Sequence, residues 1–141
     1  MALSSEMRKA PFEFGGQVMS WKYSQASGKL VSPAGSVVGT GYSGRGAGLN
    51  NPAEQAVEGI GPIPQGEWAI GSFFDDGFGK GPLVAHVTPL PGTETHGRSG
   101  FMIHGDNGAM NHTASEGCII LPRGLREMVM ASSDRALIVT A

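Results

Sequence analysis

A single cysteine and one of four histidines stand where short apolar runs meet polar loops. Phe101-Met102-Ile103 leads into His104-Gly105, and Ser115-Glu116-Gly117 leads into Cys118-Ile119, fourteen positions beyond His104. A thiol with an ordinary pKa near ~8.5 is only a few per cent thiolate at neutral pH. An imidazole within hydrogen-bond reach takes that proton and later returns it to a leaving amine, worth about 10²–10⁴-fold. Type and spacing therefore mark Cys118 as the candidate nucleophile and His104 as its base. Gly105 and Gly117 let main chain lie close to a substrate, and N–H groups around Gly117-Cys118 are candidates to stabilise an oxyanion. A lone thiol without such neighbours is more often a small buried hydrophobe.

Other chemistries fit these residues less well. A tyrosine-phosphatase loop needs five residues between Cys and Arg; Cys118 and Arg123 have four, and Pro122 removes a donor. Papain-like enzymes place Cys before a distant His, whereas here His comes first and close by. One cysteine excludes an internal disulfide and zinc sites of the four-cysteine or two-cysteine, two-histidine kinds. His86, His96, His104, His112 and Cys118 match no compact ligand spacing, so no metal and no cofactor is expected.

The elements that position the pair have to come from one domain, because 141 residues divided in two would leave cores too small. An apolar fraction of 40% with 16% charged residues argues against disorder. Twenty-three glycines and nine prolines, without a triplet period, favour short strands joined by many turns. A net charge of −2 without a basic stripe gives nucleic acid no footprint. No apolar run approaches the roughly 20 residues of a membrane span. Met1–Phe14 lacks the apolar core of a signal peptide, so general secretory export is not expected.

Alternation predicts strands over Gln17–Ser24 and Lys29–Val31, joined as a hairpin, and over Ser36–Tyr42. Ser43–Gly61, rich in Gly, Asn and Pro, reads as a long loop of the kind that covers or binds. Further strands are expected at Gly66–Phe74, Leu83–Thr88 and Gly100–His104, then a short apolar run at Gly117–Leu121. Leu125, Met128 and Val129 at i, i+3 and i+4 predict the one helix, Pro122–Ser132, with proline at its start. Arg135–Thr140 closes the chain as a strand with Ala136, Ile138 and Thr140 on one face. The expected fold is mostly β, a single-domain sandwich or barrel with one short helix after Cys118, residues 1–15 forming an N-terminal segment and 16–141 the domain.

Order and pattern resemble the L,D-transpeptidase family, whose signature is His-Gly, a loop, then Ser/Thr-His-Gly-Cys and an aliphatic residue. The chain is more closely similar to the L,D-transpeptidase-like effectors of type VI secretion. The similarity runs through Trp21-Lys22-Tyr23-Ser24-Gln25, Gly41-Tyr42-Ser43-Gly44, Asn50-Asn51-Pro52, Gly61-Pro62-Ile63-Pro64-Gln65-Gly66, His104-Gly105-Asp106-Asn107 and Ser115–Arg123. Glu116 stands where the broader family has His, and Ile120 where it commonly has Arg. The resemblance implies attack by Cys118 on the third residue of a peptidoglycan tetrapeptide stem, with release of the D-alanine at position four. Water would complete L,D-carboxypeptidase chemistry, a free D-amino acid would give exchange, and another stem would give a cross-link. Ser115 is a candidate to orient the pair. Gly105, Glu116, Arg123 and Arg126 are candidates to hold the stem, the two arginines being equally readable as a solvated helix face.

Two functional classes follow. An antibacterial cell-wall enzyme without a signal peptide needs another export route, such as injection into a neighbour's periplasm, and its producer needs an immunity protein. The rival is a non-catalytic β module that binds peptidoglycan or a component of the secretion apparatus, with Cys118 inert.

Overall fold

The computed structural model describes residues 19–77, 79–109 and 111–141. The expected N-terminal segment, residues 1–15, and the first positions of the first expected strand lie outside them. Alternating burial sets the first strand, β1 (Ser20–Ser24), with Trp21 and Tyr23 inside and Lys22 outside. Gly28, at φ +71°, turns the chain into β2 (Lys29–Val31), antiparallel to β1, and β3 (Val37–Thr40) adds to the outer edge.

The strands β4 (Tyr42–Ser43), β5 (Gly66–Ile70), β6 (Phe74–Asp76), β7 (Gly81–Pro89), β8 (Met102–His104), β9 (Ile119–Ile120) and β10 (Ala136–Thr140) complete a mixed sheet. Its order is β3-β2-β1-β10-β5-β7-β8-β9-β4, with β6 paired to β7. The two edge strands β3 and β4 are separated in the chain by Gly41 alone. The sheet must therefore curl until its edges approach, giving a barrel-like form. Gly41 makes the approach possible, since a Cβ there would stand 2.1 Å from the Ile120 carbonyl oxygen.

The mostly-β fold with one helix is as the sequence implies. The helix, α1 (Arg123–Ala131), begins after Pro122 and buries Leu125, Arg126 and Val129. Met128, expected on the apolar stripe, is instead 44% exposed, because Arg126 takes the inner position and finds carbonyl partners there. The Arg135 guanidinium accounts for the last turn, donating to the carbonyls of Val129 and Ser132 at 2.6 Å. The expected strand 66–74 ends at Ile70 and restarts as β6. In β10 the core takes Leu137 and Val139, the face opposite Ala136, Ile138 and Thr140.

The core has two parts. The larger joins Trp21, Leu137 and Trp68, facing one another in register across β1, β10 and β5, to Phe101, Ile103, Ile119 and α1. The smaller holds Tyr42, Val84, Met102, Cys118 and Ile120. The division follows the pleat of β8 and β9. Ile103 and Ile119 pair toward the large core, and alternate residues turn to the other face.

Candidate active site

The same pleat positions the chemistry. β8 and β9 run parallel, with Ile103 opposite Ile119 and His104 opposite Ile120. Cys118 immediately precedes β9 and shares the smaller core with Met102 and Ile120. His104 alternates onto that face with Met102, so imidazole and thiol belong to one side of two neighbouring strands. The loop between them is stapled by the Tyr42 hydroxyl, which donates to Asp106 Oδ1 at 2.7 Å and accepts from the Ala114 N–H at 3.2 Å.

His104 is 3% exposed, and its Nδ1 lies 2.7 Å from the carbonyl oxygen of Gly105. A carbonyl only accepts, so Nδ1 carries the proton and Nε2 presents a lone pair. That Nε2 is buried and has no hydrogen-bond partner among the described residues. Leaving a buried polar atom unsatisfied costs about 1–3 kcal/mol, and such atoms call for a functional explanation. Burial pushes the imidazole below its ordinary value of 6.5, helped by the charges of Lys80 and Arg126 and opposed by the Gly105 carbonyl and Asp106. Behind Gly105 lies the Arg126 guanidinium, which a Cβ on that glycine would meet at 2.7 Å.

The Cys118 thiol donates weakly to the Gly100 carbonyl at 4.0 Å rather than to the imidazole. Burial raises its pKa and Glu116 adds to the rise, while the Met102 main chain, Lys80 and Arg98 pull the other way. Cys118 lines a cleft of about 310 Å³, together with Gly117, Gly100, Phe101 and the charged side chains Glu58, Lys80, Arg98 and Glu116.

Ser115 is fully buried and organises the turn before the thiol rather than touching thiol or imidazole. Its hydroxyl donates to the Cys118 carbonyl at 2.6 Å and accepts from the N–H groups of Gly44 and Gly117, at 2.8 and 3.1 Å. The Gly117 amide is thereby engaged within the turn. Gly117 itself sits at φ +138°, and a Cβ there would meet Arg98 at 2.6 Å and the Phe101 ring at 2.9 Å, so only glycine fits.

The stem-holding candidates divide. The Glu116 side chain stands at the cleft, 3.7 Å from Arg45. Arg123 is exposed and pairs with Glu127 at 3.1 Å on the outer side of α1. Arg126 is buried and donates to the carbonyls of Leu121, Pro82 and Leu83, which ties the helix to β7. His112 packs edge-on against Tyr42, and the exposed His86 stacks on Phe74.

Two cleft cations went unread in the sequence. Arg98 is 5% exposed and donates to the carbonyls of Gln55, Gly61, Pro62 and Glu116, while its guanidinium stands 5.2 Å over Phe101. It ties the 43–61 segment to the turn that carries the thiol. That segment begins on the last residue of β4, holds two 3₁₀ turns, Gly46–Gly48 and Pro52–Glu54, and contributes Glu58 and Gly59 to the cleft. Lys80 lies in the turn before β7. A lone Arg in a polar loop and a Lys between two glycines carry no periodicity that would distinguish them.

A family model described as the Tlde1 domain matches residues 38–135, which include every residue of this site. The chain belongs to the Tlde1 domain family. That family comprises type VI secretion effectors that act on peptidoglycan. Membership places the protein among those secreted to act in a target cell. Among curated proteins no match is found. No helix among the described residues of this Tlde1 domain is long and apolar enough to cross a membrane.

Proposed function

We propose that this Tlde1 domain is a cysteine L,D-carboxypeptidase of peptidoglycan tetrapeptide stems. The observation that carries the proposal is the buried, unpartnered Nε2 of His104, on the same strand face as a thiol that opens onto a cleft. The thiol rests on the Gly100 carbonyl, so the proposed transfer requires it to leave that carbonyl for the imidazole. Catalytic hydrogen bonds commonly tighten only when substrate is bound.

Nε2 takes the thiol proton as Sγ attacks the carbonyl carbon of the third stem residue. The carbonyl oxygen becomes an oxyanion, and Cys118's own N–H is the donor assigned to it, since Gly117's is engaged by Ser115. The intermediate collapses with cleavage of the C–N bond, and the imidazolium gives its proton to the departing nitrogen of D-alanine. A thioester remains. Water then gives up a proton to Nε2 and attacks the thioester, and the leaving sulfur is reprotonated. A free D-amino acid in place of water gives exchange through the same thioester.

The test is digestion of purified disaccharide-tetrapeptide, with and without an added D-amino acid, read by mass spectrometry. Wild type should release or exchange D-alanine. Cys118→Ala should reduce the rate by at least about 10³-fold and His104→Ala by about 10²–10⁴-fold. Unchanged turnover in Cys118→Ala, or no loss of D-alanine with wild type, would overturn the proposal. A producer of such an enzyme requires an immunity protein, and the cleft is the surface that such a partner would block.

A further inference from the structure

Four ionic side chains line the cleft beside Cys118, and three of them have opposite charge or acceptors to answer them. Arg98 is turned inward onto its four carbonyls and is also drawn to Glu58. Glu116 lies against Arg45. Lys80 differs. It is exposed, its main-chain N–H rather than its ammonium bonds Asp76 Oδ2, and no carboxylate of the described residues lies within 4.0 Å of that ammonium. Its positive charge bears on both reacting groups, drawing the thiol and the imidazole downward together.

We propose that Lys80 is the receptor for the free C-terminal carboxylate of the leaving D-amino acid, and that it thereby confines cleavage to the last bond of the stem. The inference rests on the L,D-carboxypeptidase assignment above and names the specificity of that same site. The leaving residue carries its carboxylate two bonds beyond the scissile nitrogen. A receptor for it has to stand beside the nucleophile and the proton donor, not at the far end of the cleft. A lysine ammonium is a compact charge on a flexible stem with three donors, suited to meeting a small carboxylate whose exact pose is set elsewhere.

The probe is a synthetic stem tetrapeptide in two forms, one with a free C-terminal carboxylate and one with a C-terminal amide. Calorimetric titration into Cys118→Ala reads binding without turnover. The free acid should bind at least about tenfold more tightly than the amide. Adding Lys80→Met should remove that preference, and Lys80→Arg should retain most of it. In the active enzyme, Lys80→Met should raise KM for the acid about tenfold while kcat changes less than about threefold. Persistence of the acid preference in Lys80→Met, equal binding of both forms by Cys118→Ala, or binding of neither overturns the assignment. Equal D-alanine or D-alaninamide release from both forms sinks Lys80 and leaves the activity standing. An acid preference that depends on Lys80, without any release by wild type, overturns the activity and with it the leaving-group role, and leaves Lys80 as a carboxylate-binding residue only.

Discussion

Burial acts on His104 and Cys118 in opposite directions and to one end. It lowers the imidazole and raises the thiol, so both resting groups are neutral at physiological pH. On the proposed mechanism the resting pair is then thiol and free base, and the proton moves during attack instead of being transferred beforehand. The sign for activity follows. Protonated His104 cannot accept the thiol proton, and its pKa lies below 6.5. The acidic limb of kcat/KM for D-alanine release should therefore have its midpoint below 6.5, with activity gained as pH rises through it. A midpoint at or above about 7 would contradict the burial argument.

Among the elements, the segment from Ser43 to Gly61 owes its order to side chains far from it in sequence. Gln25 donates to the Ile63 carbonyl and to Gln55 Oε1, and Gln65 donates its N–H to the same Gln55 oxygen. Ser43 accepts from the Ile63 N–H, and Arg98 fastens Gln55, Gly61 and Pro62 to Glu116. Arg98→Met should leave those carbonyls without their donor, cost at least about 2 kcal/mol, and open the chain near residue 58 to proteolysis. Ser115→Ala removes three hydrogen bonds from the turn before the thiol and should cost about 1–3 kcal/mol, with a parallel fall in D-alanine release. Melting temperature and limited proteolysis check both. This is also where the sequence became hard to read. β1 and α1 announce themselves through alternation or helical spacing, because their burial is periodic. The 43–61 segment is held by single polar partners with no period, so only its loop character was visible. His104 and Cys118 were legible because His-Gly and Ser-x-Gly-Cys are local patterns. The partners that hold them, Arg98 and Arg126, are chosen by unpaired carbonyls that exist only once the strands are in place.

At the scale of the whole molecule, Gly41 is the seam where the sheet's two edges are brought together. Its absent side chain allows the Ile120 carbonyl to approach, and its N–H donates to the Gly28 carbonyl at 2.8 Å. Gly41→Val should push β4 away from β9, and with them the face that carries Cys118. The expected outcome is loss of cooperative melting and of activity together, read by calorimetry. Retention of wild-type melting would show that the seam tolerates opening. The family match, residues 38–135, omits β1, β2 and β10, yet β10 lies between β1 and β5 in the middle of the sheet. The matched span is therefore a signature of the site rather than a self-standing unit.

That central place of β10 bears on the order in which the sheet can close. Of the ten strands it is the last to be synthesised, and β1, among the earliest, has no route to β5 except through it. Until β10 is in place, a chain that already contains His104 and Cys118 lacks the strand that joins the two halves of the sheet. Residues on either side of the site in sequence must therefore meet before the sheet is whole.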